Sequence, residues 1–197
     1  MQKAEKQNNP KQEILKAVLI FLCSYLIFLV LWIQVKDSYS KGIIYLASHL
    51  VTVVKDAEFG GMKQARDIIK ATFKPVKHKT GIQINIPVKT SSYTFNAPLT
   101  FAIMAALYFF IERRKRAYAE ALLLLLFIHL LYVFSLEMKE LTQVFIDMGL
   151  EKVNKIRIFI CQFLWSFTDN MVIRFEPFLI GVYMFIRFKA GRKHKLL

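Results

Sequence analysis

Nineteen consecutive residues, Ala17 to Val35, carry no charge. As a helix rising about 1.5 Å per residue, this run is about 28 Å long, close to the ~30 Å hydrocarbon core of a bilayer. The segment therefore reads as a membrane anchor. A cleaved signal peptide would end its apolar region on small residues, and Trp32-Ile33-Gln34-Val35-Lys36 offers none, so the helix is expected to be retained.

Three further runs follow. Thr90 to Ile111 is charge-free, with Asn96 placed to cap a helix and Pro98 in a first turn, where a missing N–H costs little. Ala117 to Leu136 contains Glu120 as its one charge and the leucine block Leu122 to Leu126. Met171 to Phe188 is interrupted by Arg174, Glu176 and Arg187 and should be kinked by Pro177. It is counted as a crossing because the parity of the topology favours it.

The chain is 55% hydrophobic, which excludes disorder, yet 28 Lys+Arg against 14 Asp+Glu give a charge of +14. Two cysteines, Cys23 within an apolar run and Cys161, do not make a disulfide scaffold. The excess of base would suit a nucleic-acid binder, but its placement follows the positive-inside bias instead. With the N-terminus in the cytoplasm, Lys3, Lys6, Lys11, Lys16, Arg113 to Arg116, Arg187, Lys189, Arg192, Lys193 and Lys195 all fall inside. The expected fold is a membrane α-helical, four-transmembrane-helix bundle of the inner membrane, both termini cytoplasmic. It carries a small α+β extracytoplasmic element between helices 1 and 2. The expected segments are a basic N-terminus 1–16, helix 1 at 17–35, the outer α+β segment 36–96, helix 2 at 97–112 and a basic turn 113–116. Helix 3 at 117–136, an outer helical segment 137–170, helix 4 at 171–188 and a basic tail 189–197 complete the chain.

In the first outer segment, Ile43, Leu46, Ala47, Leu50, Val53 and Val54 recur at helical spacing, so an amphipathic helix is expected near 40–55. After Gly60-Gly61 the period changes. Ile69, Ala71 and Phe73 alternate with polar residues, as do Ile82, Ile84, Ile86 and Val88, which predicts two half-buried strands. Pro87 makes the second an edge strand, its apolar face packed on the helix bearing Leu46 and Leu50. An exposed edge is a template for strand addition, which nominates Gln83 and Asn85 as partner contacts. In the second outer segment, Glu137 to Leu150 should be helical, and 156–167, too short to cross, an interfacial or re-entrant helix.

Cys23 and His129 suggest an activated thiolate, but their depths in the bilayer differ, so a packed cysteine and a helix-packing histidine are the expectation. Arg174 and Glu176 stand two apart and do not face each other on a helix. Either they grip a partner, or both lie at the outer interface, Arg174 snorkelling and Glu176 in a first turn. Arg113, Arg114, Lys115 and Arg116 are expected to touch lipid headgroups and not nucleic acid. The bases of the outer hairpin, Lys63, Arg66, Lys70, Lys74, Lys77, Lys79 and Lys89, suit a solvated face, headgroups or an acidic partner. His49, His78, His129 and His194 lack zinc spacing, and no phosphate-binding loop, G-x-S-x-G or H-E-x-x-H occurs. No catalytic residue, metal or cofactor is expected.

The order of parts, with the entry Tyr93-Thr94-Phe95-Asn96-Ala97-Pro98-Leu99 into the second membrane run, resembles the small membrane proteins associated with exosortase H. That enzyme is a transpeptidase-type processor of C-terminally tagged exported proteins in Gram-negative bacteria. Exosortases place a Cys in a small-residue motif, with separate Arg and His residues, and Cys23 in Phe-Leu-Cys-Ser-Tyr does not match. The resemblance implies a non-enzymatic accessory protein holding an exosortase-like enzyme or its substrate at the outer face. An intramembrane enzyme of unfamiliar type and a small transporter subunit are the alternatives.

Overall fold

In the computed structural model, which describes residues 10–76, 81–112 and 114–188, the first apolar run does not stop at the membrane boundary. It continues as one 45-residue helix, α1, Pro10–Val54, about 67 Å long. The amphipathic helix expected near 40–55 is its last third. Its buried stripe is Ile43, Ile44, Ala47 and Val51, while Leu46 and Leu50 are exposed. The seat expected for the edge strand on Leu46 and Leu50 is therefore not used, and that strand packs instead on the later helix Arg114–Asp147.

The sheet has three strands, in the order β1-β2-β3. The sequence reading missed β1, Ala57–Ala65, because its exposure does not alternate and Gly60-Gly61 looked like a break. The glycines instead carry a β-bulge, the register shifting between Phe59 and Gly61, where Gly61 takes φ +107°. β2, Ile68–Pro75, pairs antiparallel with β3, Ile84–Lys89. β3 starts at Ile84, two residues later than expected, and is an edge of the sheet as predicted. The register sets Ile69 opposite Val88, Ala71 opposite Ile86 and Phe73 opposite Ile84, so six buried side chains share one face.

β1 and β2 lie alongside α1. Ala57 N–H donates to the Lys55 carbonyl at 2.7 Å, Phe59 packs on Tyr45 and His49, and Asp67 comes within electrostatic reach of Lys36. Lys36 to Lys55 is about 28 Å of helix, which ten strand residues match. At the lower end Asp67 straps the sheet to the following chain, accepting from Thr90 Oγ1 at 2.6 Å, Ser91 Oγ at 2.5 Å and Ser91 N–H at 3.2 Å. Partial burial pushes this carboxyl up, but the hydrogen bonds from Ser91 and Thr90, helped by Lys36, outweigh it and hold it below its ordinary value.

The single turn α2, Ser91–Thr94, leads into α3, Ala97–Ala106, and a 3₁₀ turn, Leu107–Phe109. Together α3 and the 3₁₀ turn are about 21 Å long, shorter than a hydrocarbon core. α4, Arg114–Asp147, absorbs the expected third crossing and the helix beyond it into 34 residues. α5, Lys155–Phe167, a π-helical turn, Thr168–Val172, and α6, Ile173–Phe188, follow without a break. The stretches expected as an interfacial or re-entrant segment and as a fourth crossing thus form one continuous helical run, started by Asn154, whose Oδ1 accepts from the N–H groups of Ile156 and Arg157. Among the described residues, two helices, α1 and α4, are long and apolar enough to cross a membrane.

Candidate functional site

Contacts along α1 and α4 fix how the helices meet. Tyr39 reaches His129 and, farther along both helices, Ser48 reaches Glu137, so α1 and α4 run in the same direction. α6 runs against them, Glu176 meeting His129 and, farther along α6, Tyr183 meeting Glu120 nearer the start of α4. α3 lies between, with Phe101 on Phe28 and Trp32 of α1 and Thr100 beside Glu176.

Where the four helices converge, four side chains form one chain of hydrogen bonds. Tyr39 Oη lies 2.7 Å from His129 Nδ1, His129 Nε2 lies 2.9 Å from Glu176 Oε2, and Thr100 Oγ1 donates to Glu176 Oε1 at 3.1 Å. With Nε2 protonated, Tyr39 donates to the imidazole and the imidazole to the carboxylate, which satisfies every partner; this tautomer is assigned from the network. His129 and Glu176 have no exposed surface, and the Tyr93 ring packs edge-on against the imidazole. Burial without partners would be costly for these groups; here each is held by others.

The positioning of Glu176 depends on a local defect in α6. Pro177 has no N–H, so the carbonyl of Ile173, four residues earlier, lacks its helical donor. Asn96 supplies it, Nδ2 donating to Ile173 O at 2.6 Å. Asn96 was expected to cap α3, but its backbone is already helical (φ −80°, ψ −18°) and its side chain makes no capping bond, its amide reaching across the interface instead. Below it, Gly181 lets α6 approach α3 so closely that a Cβ there would lie 2.9 Å from Ile103 Cγ2.

A second polar cluster closes the end of the bundle where α1 meets the sheet. Lys55, 4% exposed, pairs with Glu151 at 2.6 Å, and Glu151 also holds Arg157 at 2.5 Å. At the opposite end, Arg116 and Arg187 share Glu120 at 2.8 and 3.0 Å, and Arg114 stacks on Tyr108.

A family model described as exosortase H-associated membrane protein matches residues 7–188. The chain belongs to this family. No curated protein and no solved structure matches it.

In this exosortase H-associated membrane protein the nominated residues fall apart. Cys23 is exposed on α1, about 24 Å along the helix from Tyr39, the α1 residue that meets His129, so the thiolate pair does not form. Glu176 is buried in the bundle, whereas Arg174 is exposed. Gln83 is exposed just ahead of β3, and Asn85 Oδ1 accepts from Thr72 Oγ1 across the strands at 2.8 Å. Arg114, Lys115 and Arg116 start α4; Arg113, Lys77, His78, Lys79 and the tail from Lys189 lie outside the described residues. Tyr39 and Thr100 were not nominated at all. Only Pro177, which implies a carbonyl in need of a donor, signalled that α6 has an intimate partner.

Proposed function

We propose that this chain is a non-enzymatic accessory subunit of an exosortase system. In this reading it is a four-crossing protein of the inner membrane, both termini cytoplasmic, that holds a partner enzyme or its substrate at the outer face. The observation that carries it is the closure of the His129–Glu176 network. His129 and Glu176 have no surface and are spent on each other and on Tyr39 and Thr100, so no substrate touches them while the bundle is closed.

The alternation of helix directions supports four crossings, α1 and α4 outward, α3 and α6 inward. The sheet beside α1 exposes Lys63, Lys70, Lys74 and Lys89, which need water, so hydrocarbon faces α1 ahead of Lys36. That choice sets the buried network at the outer boundary and Arg114, Lys115 and Arg116 toward inner-leaflet headgroups. Asn85 and Gln83 at the sheet edge, with Arg174 on α6, are the surface residues offered to a partner, and Glu176 braces the bundle behind them.

Glu176→Gln separates bracing from chemistry. An amide can accept from His129 and donate toward Thr100, so the network survives while a titrating carboxylate is lost. In a strain lacking the chain, C-terminally tagged exported proteins should accumulate unprocessed, and the Gln variant should restore processing. Complete loss of processing with the Gln variant present at normal level would overturn the accessory reading in favour of an enzyme.

A further inference from the structure

Resting on the accessory reading, we propose that an aromatic stripe on α5 docks an apolar helix of the partner membrane protein, flanked on that partner by carboxylates. The stripe is Ile156, Phe159, Ile160, Phe163 and Phe167, exposed by 72, 67, 56, 59 and 47%. Their spacing lays them along one helix face. Phe159 stacks on Phe163 at 6.2 Å and Phe163 on Phe167 at 6.0 Å, so the ridge is preformed before anything binds. The opposite face of α5 is already used, with Cys161 against Thr142 and Trp165 on Tyr132. The stripe is a second apolar face with no place in the core.

Lipid does not account for it. The stripe continues past the π turn through Met171, Phe175, Phe178, Val182 and Ile186. The wider turn resets the helical phase so that these residues stay in line. From Ile156 to Ile186 is about 45 Å, some 15 Å more than a hydrocarbon core covers. The excess lies at the α5 end. Arg157 is tied through Glu151 to Lys55, the residue where α1 ends and the sheet begins. α5 therefore stands at the height of the sheet, and hydrocarbon reaching it would also engulf exposed Lys70 and Lys74.

Charge selects among protein occupants. Lys152 and Lys155 at the outer end of the α5 stripe and Arg174, just past the π turn that follows it, are exposed and make no ion pair among the described residues. A second copy related by a twofold axis along the membrane normal would set these cations against their own equivalents, which is repulsive. A partner helix with an apolar face and acidic flanks complements both the ridge and its ends, and buried aromatic rings are the usual anchors of such contacts.

The test co-expresses the full chain with the exosortase of the same cell, purifies through a tag on the chain in mild detergent, and measures recovered enzyme. Phe159→Ser with Phe163→Ser should cut recovery about tenfold while leaving the melting midpoint of the chain unchanged. Lys155→Glu with Arg174→Glu should cut it several-fold at low salt and less at high salt. Wild-type chain that recovers no enzyme would overturn the accessory reading itself. Wild-type recovery with undiminished recovery by the Ser variant would overturn the stripe and leave that reading standing. A chain that is dimeric alone and turned monomeric by the Ser substitutions would give the ridge to a second copy and overturn the heteromeric contact.

Discussion

Replacing Asn96 tests the joint between α3 and α6 most directly. Ile173 is 2% exposed, and its carbonyl has lost its helical donor to Pro177, so removing the Asn96 amide leaves a buried acceptor with nothing to bind. An orphaned buried group costs about 1–3 kcal/mol. For a chain of this size each kcal/mol moves the midpoint by about 2–4 °C, so Asn96→Ala should melt about 2–12 °C lower in detergent. Pro177→Ala restores the missing N–H. In that background the same Asn96→Ala change should cost less than about 0.5 kcal/mol, a strong coupling in a double-mutant cycle. Circular dichroism melts of the four proteins suffice. An equal loss in both backgrounds would refute the claim that Asn96 serves the proline's missing donor.

Arg66 has φ +55° at the first central position of the two-residue β1–β2 turn, so Arg66→Gly should relieve backbone strain and raise the melting midpoint by a few degrees, about 1 kcal/mol, read in the same melts. Gly181→Ala should cost about 1–3 kcal/mol, because its Cβ would press on Ile103, and an unshifted melt would mean that α3 and α6 are not in contact there. Asp67 is depressed in the folded chain, so its stabilisation is present above the ordinary carboxyl range near pH ~4 and is lost as pH falls through the native value. The stability gap between wild type and Asp67→Asn, measured by denaturant unfolding, should be open at pH ~6 and close toward pH ~2, and a gap independent of pH would contradict the strap.

Much of this chain was legible one residue at a time. A nearly charge-free apolar run about as long as a hydrocarbon core is thick has few other places to go, which is why α1 and the central part of α4 could be read directly. Strict alternation in β2 and β3 likewise reports a sheet with one buried face, and Pro87 on the outer side marked the edge. These are properties of local composition against a solvent boundary, and sequence carries them explicitly. The layout of parts, with the entry from Tyr93 to Leu99 into the second apolar run, was also enough to suggest the family that the match over residues 7–188 establishes.

What folding alone decided is how those pieces pair. β1 escaped because a bulge at Gly60-Gly61 breaks the alternation by which strands are recognised, and only pairing with β2 makes it a strand. Past Lys36, α1 runs on with its second half packed on α4 through Ser48 and Glu137 and on the sheet through Tyr45, His49 and Phe59, contacts that no local pattern announces. The His129–Glu176–Tyr39–Thr100 network joins residues from four separate helices, and no period or spacing encodes it. Its members meet because α1 and α4 run in the same direction and α6 bears Pro177, whose freed carbonyl draws in Asn96 and locks α3 against it. Local sequence sets which face of a helix is apolar, but the offset between two helices is set by shape and hydrogen bonding across their interface, and that exists only once the bundle has formed.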